Sequence, residues 1–195
     1  MSSPNPTCAE RLTKGEKTRA RLRKIAAAEF AQRGFHNTKV SDIVKASELT
    51  QPAFYKYFDS KEAAYEELVG EFRSRLEVLT STLLISGQHD VLSSVEDAML
   101  RVLDFLSEDP HLTEIGFFQP PASLMTKAGL ASWIASNVKK EQSMGIFRPD
   151  IRAEQIGKCY VGMLDQIARE GLAPKERALA AHECALLIFE GIRVH

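Results

Sequence analysis

The sequence predicts an all-α protein, with an N-terminal helix-turn-helix reader and a larger C-terminal helical body. Three observations carry this. Apolar residues recur at helical spacing through nearly every segment, with no strand-like alternation and no internal repeat. The stretch Val40 to Phe58 reads as two short helices joined by a tight turn, the second carrying Gln51, Ala53, Tyr55, Lys56 and Tyr57 outward. Amides, aromatic hydroxyls and a lysine on one short helix suit the major groove of DNA. Charge is also divided: residues 1–61 hold 12 Lys and Arg against 6 Asp and Glu, a surplus of +6, whereas the remainder carries −7. A basic front on an acidic body is expected where only the front meets a polyanion.

The length of 195 residues allows one compact domain or two small ones. No run approaches the roughly 20 apolar residues that span a bilayer. The start, MSSPNPTCAERLTKGEK, has no apolar core of signal-peptide type, and residues 1–16 read as a flexible tail. Cys8, Cys159 and Cys184 are odd in number and widely spaced, which suits a reducing cytoplasm better than a disulfide framework or a zinc site.

The first helix is expected over Lys17 to Gln32, with Leu22, Ile25, Ala26 and Phe30 on one face and Gly34 as its stop. Lys17, Arg19, Arg21, Arg23 and Lys24 crowd its start against the helix dipole, which suggests a nearby phosphate. The second helix opens at Thr38 or Lys39, turns Val40, Ile43 and Val44 inward, and ends near Ser47. Leu49 is expected to be buried, and Thr50 to cap the third helix through its hydroxyl. Pro52 fits the first turn of that helix, and Phe54 and Phe58 face inward. Asp59 and Ser60 cap a long fourth helix that runs to Leu83 and is broken by Ser86 and Gly87. Asp90 caps a fifth, which Asp109 and Pro110 end. Residues 111–119 form a short helix or an irregular turn, Pro120 and Pro121 force a break, and a helix runs over Ala122 to Ser143. After a loop at residues 145–150, two last helices span about Arg152–Glu170 and Pro174–Ile192.

The front end resembles the TetR family of bacterial transcriptional regulators. The matching residues are Phe30 and Gly34–Phe35 closing the first helix, Val40 and Ile43 in the second, then Tyr55, Phe58, Lys61 and Glu62 in the Tyr-x-x-Phe-x-x-Lys-Glu run. The likeness departs at the inter-helix turn, where Ser47–Glu48 replaces Ala-Gly, at Val44 in place of Ala, and at Pro52. A Glu in a left-handed turn costs about 1 kcal/mol. Arg23 and Glu29 stand where apolar residues are common. The resemblance implies residues 17–60 as a DNA-binding domain and 61–195 as a ligand-binding and dimerisation domain. It also implies a homodimer on a palindromic, double-stranded operator and a small-molecule effector that alters operator binding.

By position, Thr50, Gln51, Ala53 and Lys56 are the expected base readers. Gln pairs with adenine, Lys reaches guanine, and the Ala methyl touches thymine. Tyr55 and Tyr57 are expected to donate hydroxyls to phosphate, and Lys39 and Lys61 to combine a free helix-start amide with a positive side chain. The alternative is packing for the tyrosines and plain solvation for the lysines. Phe105, Phe117, Phe118, Met125, Trp133, Tyr160 and Met163, most of them beside helix-breaking prolines, either line a pocket for an apolar effector or fill the core. Gln166 or His111 could orient such a ligand. Ile156, Tyr160, Leu164, His182, Ala185, Leu186 and Phe189 on the last two helices form the expected dimer interface, with Gly157, Gly162, Ala181 and Ala185 permitting close approach. No catalytic motif, metal-ligand spacing or phosphate-cradling loop is present, so neither an enzyme activity nor a cofactor is expected. The motif, the basic front and the resemblance together imply a regulator, most simply a repressor. The competing reading is a helical small-molecule-binding or scaffolding protein whose front domain no longer reads DNA.

Overall fold

A computed structural model describes residues 13–83 and 91–194. The helices are α1 (Lys14–Arg33), α2 (Val40–Ser47), α3 (Gln51–Tyr55), α4 (Lys61–Thr82), α5 (Val91–Glu108), α6 (Pro110–Thr113), α7 (Ala122–Ser143), α8 (Ala153–Arg169) and α9 (Pro174–Ile192). No strand occurs among the described residues; one isolated antiparallel bridge joins Phe147 to Arg193. The expected break at Ser86–Gly87 and the cap at Asp90 lie outside the described residues, as do positions 1–12 of the expected tail.

The chain divides into two compact units that meet between Tyr65 and Glu66, within α4. The expected boundary at residue 60 falls short because Ala64 and Tyr65 belong to the first core. The Tyr65 ring lies 5.2 Å from Phe30 and 4.6 Å from Phe35.

In the first unit α1 begins earlier than its apolar stripe suggests. The Thr13 hydroxyl accepts from the Glu16 amide at 3.3 Å, and Glu16 Oε2 accepts the Thr13 amide at 2.7 Å, a reciprocal capping box. The Thr13 amide and hydroxyl together hold the Glu16 carboxyl below its usual pKa. Residues 13–16 are thus a helix start, not a tail, with Glu16 in a first turn that also holds Lys14 and Lys17.

The second unit is a helical bundle in which α7 packs on α8 and α5 on α9. Gly157 makes the first of these contacts possible, since a Cβ there would stand 2.4 Å from the Ala131 carbonyl oxygen. The segment between α6 and α7, for which either a short helix or an irregular turn was open, is α6 followed by a wide π turn over Glu114–Phe118. Asp109 caps α6, its Oδ1 accepting from the His111 amide at 3.1 Å and the Leu112 amide at 3.0 Å.

Candidate nucleic-acid interface

The exposed face of the first unit is built by its core. Leu22, Ala26 and Phe30 of α1, Ile43 of α2 and Phe54 of α3 are all fully buried. Phe54 and Phe58 sit four residues apart with ring centroids 5.4 Å apart. Fixing that pair inward turns Gln51, Pro52, Tyr55 and Lys56 outward, at the i, i+1, i+4, i+5 positions of one helical face. Ala53 and Tyr57 are half-buried at its flank, and Thr50 is exposed just ahead of it. Tyr55 is 52% exposed, so its hydroxyl end stands clear of the core. The structure therefore brings Thr50, Gln51, Tyr55 and Lys56 together, with Ala53 and Tyr57 at the edge.

The turn leading into α3 takes the costly form. Glu48 has φ 55° and ψ 30°, the left-handed region, and is the one non-glycine residue with positive φ among the described residues. Arg21 Nη2 of α1 reaches Glu48 Oε2 at 3.4 Å, a long and exposed contact that returns little of that strain. Ser47 is fully buried and its hydroxyl donates to the Val44 carbonyl at 3.2 Å. Leu49 is half-buried rather than buried. Thr50 has extended backbone, but its hydroxyl makes no cap bond; its carbonyl accepts from the Phe54 amide at 3.1 Å.

The two helix-start lysines differ from expectation. Lys39 is exposed, but its amide is taken by Asp42 Oδ2 at 3.0 Å, leaving only the ammonium for a phosphate. Lys61 Nζ donates to the Phe35 carbonyl at 3.0 Å and lies 4.4 Å from the centre of the Phe35 ring. Lys61 thereby ties the start of α4 to the segment between α1 and α2. No periodicity argument finds that bond, because it links residues 26 apart. The Arg19 guanidinium lies 5.6 Å over the Phe58 ring, at the edge of the same surface.

The other expected sites lie in the second unit. Met125 and Trp133 line a cleft of about 300 Å³ between α4 and α7, shared with Arg73, Leu76 and Glu77. Trp133 and Tyr160 also line a narrow apolar cavity of about 30 Å³ that includes Glu141. Phe105 borders an open groove beside α4. Phe117 is fully buried, ring to ring with Phe118 at 5.6 Å, and these two and Met163 line none of these three spaces. Gln166 and His111 are exposed. Glu141 was missed because it occupies the apolar stripe of α7, where type alone gives no reason to expect a carboxylate.

The expected interface divides in two. Ile156, Tyr160, Leu164 and Ala185 are buried within the chain, so they form its own core. Leu186 and Phe189 are half-buried, and His182 is exposed with its Nδ1 2.8 Å from Glu96 Oε2. The apolar surface that α9 leaves open is carried by Leu179 and Leu187, 58% and 68% exposed. Gly162 of α8 has open space beyond its Cα, unlike Gly157. Among the described residues no cluster could hold a metal ion, and no helix is long and apolar enough to cross a membrane.

Residues 22–68 match the family model described as bacterial regulatory proteins, tetR family. A protein of Bacillus subtilis (strain 168), the HTH-type transcriptional regulator YdgC, is 41% identical over 185 residues, covering 92% of this chain and 95% of that one. Among solved structures, a TetR family transcriptional regulator from Chloroflexus aurantiacus superposes with a TM-score of 0.77 at 16% identity, over 92% of this chain and 95% of that one. KstR2 of Mycobacterium tuberculosis gives 0.73 at 20% identity, over 91% and 95%. The last two establish likeness of fold alone. The full-length relative and the matched helix-turn-helix segment together show that this chain belongs to the TetR family of DNA-binding transcriptional regulators.

Proposed function

We propose that the chain is a ligand-responsive repressor that binds a palindromic operator as a homodimer. The observation that carries the DNA half is the exposed face of α3, where Gln51, Tyr55 and Lys56 stand together above a fully buried Phe54. Gln51 and Lys56 read base edges, with Thr50 and Ala53 beside them; Tyr55, Tyr57 and Lys39 hold the backbone. Lys61 takes a double role, since an ammonium has three donors and the Phe35 carbonyl uses one. Two such readers, about one helical turn of DNA apart, require two chains. The open apolar surface on α9 around Leu179 and Leu187, with the half-buried Leu186 and Phe189, supports that pairing.

The name of one relative supports the sign and the ligand. A protein of Mycobacterium tuberculosis that is 25% identical over 154 residues is named a transcriptional repressor, and its structure is described as a ketosteroid transcriptional regulator. An effector with a largely apolar body fits the cleft lined by Leu76, Met125, Leu130 and Trp133. The reading is tested by titrating the chain onto a labelled duplex from its own upstream region and following anisotropy. The expected result is saturation at two chains per palindrome and weaker binding to scrambled duplex. Equal affinity for both duplexes would overturn it and favour a scaffolding protein.

A further inference from the structure

The cleft of about 300 Å³ between α4 and α7 holds an arginine without an acidic partner. Its apolar lining is Leu76 on α4 and Met125, Leu130 and Trp133 on α7; Arg73, Glu77 and Thr126 share its walls. Arg73 is fixed to α7 along one edge of its guanidinium. Its Nε donates to Thr126 Oγ1 at 3.0 Å and its Nη2 to the Ala122 carbonyl at 2.9 Å. The Thr126 hydroxyl donates to that same carbonyl at 3.1 Å, so the bonds close a triangle that holds the guanidinium across the two helices.

Both acceptors are neutral, and no carboxylate among the described residues pairs with Arg73. Glu77, one turn along α4, is exposed and forms no ion pair with it. Arginine carries five N–H donors, so the edge made by Nη1 and the second N–H of Nη2 remains unused. Nη1 is not sealed inside: among the described residues the one buried side-chain nitrogen or oxygen without a partner is Arg193 Nε. The unused edge is therefore open to solvent at the cleft that Arg73 lines. The bonded carbonyl belongs to the first residue of α7, whose first turn carries no acidic residue. The helix dipole there favours a negative charge and adds to that of the guanidinium.

We infer that the effector is an amphiphile with an apolar body and one carboxylate. The carboxylate takes one N–H from each of Nη1 and Nη2 of Arg73, a paired geometry that guanidinium matches and ammonium does not. The body lies against Leu76, Leu130 and Trp133. This rests on the ligand-responsive reading above and narrows it. The cleft is near the lower size of small-molecule sites, which suits a single ring with a short chain. Glu77 on the same wall disfavours a second negative charge on the ligand. A hydroxyl in place of the carboxylate makes only ordinary hydrogen bonds, about half as strong as charge-assisted ones.

Trp133 is the only tryptophan in the chain and lines the cleft, so its emission reports on occupancy. The full-length protein is titrated with phenylbutyrate, phenylbutanol and phenylbutylamine, which share one body and differ in charge. The acid is expected to change the emission saturably at about tenfold lower concentration than the alcohol, with the amine weakest. In Arg73→Met the acid should fall to the level of the alcohol. Arg73→Lys keeps the charge without the paired edge and should lose part of the acid's advantage. Gly129 also lines the cleft, and a Cβ there meets nothing within 4 Å, so Gly129→Leu should fold and block all three probes. Equal binding of acid and alcohol, preference for the amine, an acid advantage undiminished in either Arg73 variant, or saturation that survives Gly129→Leu would each overturn the inference. Operator anisotropy in the same titrations separates the two readings. Release by the alcohol or amine but not the acid leaves a ligand-responsive regulator and removes the charge assignment. Acid binding at Trp133 with an unchanged operator complex keeps the site and removes the regulatory role.

Discussion

Gln51 and Tyr55 share one exposed face, but in the proposed function they meet different parts of DNA. A base-edge pair carries about 1–3 kcal/mol of discrimination, whereas a phosphate contact carries none. Gln51→Ala is therefore expected to weaken operator binding by that amount and to relax preference at one base position, read by competition with single-base operator variants. Tyr55→Phe should weaken all duplexes alike. Equal loss on all sequences for Gln51→Ala would remove it from the base readers. Glu141 allows a test without ligand. Burial raises its folded-state pKa above the ordinary 4.5. The folded chain thus holds this proton more tightly than the unfolded chain. Its contribution favours folding fully below 4.5 and is lost as pH rises through the elevated folded value. Glu141→Gln is expected to remove this slope. Denaturant melts at several pH values read the effect, and a slope that persists in Glu141→Gln would contradict it. Residue type did not foretell these particulars. The Lys61–Phe35 bond and the buried Glu141 depend on tertiary placement, and Thr50 looked like a cap by type yet makes no cap bond.

Helices were read well where an apolar stripe defines them. α7 (Ala122–Ser143) coincides with its expected span because Pro120–Pro121 and Gly145 bracket an apolar stripe that runs to Val138. α1 was misplaced at its start because its first turn is polar, and the signal there was the Thr13-x-x-Glu16 box rather than the stripe. Thr13→Ala should cost about 0.5–2 kcal/mol and speed amide exchange at Glu16 and Lys17, leaving Phe30 and beyond protected. Unchanged exchange at those two amides would mean that the box adds nothing. The stripes of α8 and α9 show the limit of periodicity. Spacing identifies the apolar face of α8 but not what covers it. Ile156, Tyr160 and Leu164 are covered by the chain's own helices, and Gly157 meets Ala131 rather than a second copy. On α9 apolar residues extend beyond one stripe, and the surplus, Leu179 and Leu187, is what remains open. The large residues near helix breaks divide likewise, Met125 being 70% exposed and Phe117 fully buried.

Taken whole, the chain joins two compact units through α4, with the boundary between Tyr65 and Glu66. The basic surplus lies in residues 1–61 and the acidic one in the rest, a division already plain in the sequence. If α9 carries the dimer contact, Leu187→Glu should leave each chain folded but monomeric by sedimentation, and weaken operator binding by far more than tenfold, since the second half-site is lost. A dimer that persists in Leu187→Glu would move the interface elsewhere. Under the proposed function the basic front contacts phosphate, and binding then depends on counterion release. The most direct measurement is the affinity for the operator duplex and for random duplex across a salt series. The account predicts that log K for the operator falls linearly with log salt, by about 0.9 per phosphate contact, and stays well above the random duplex throughout. A flat salt dependence, or curves that coincide for the two duplexes, would contradict it.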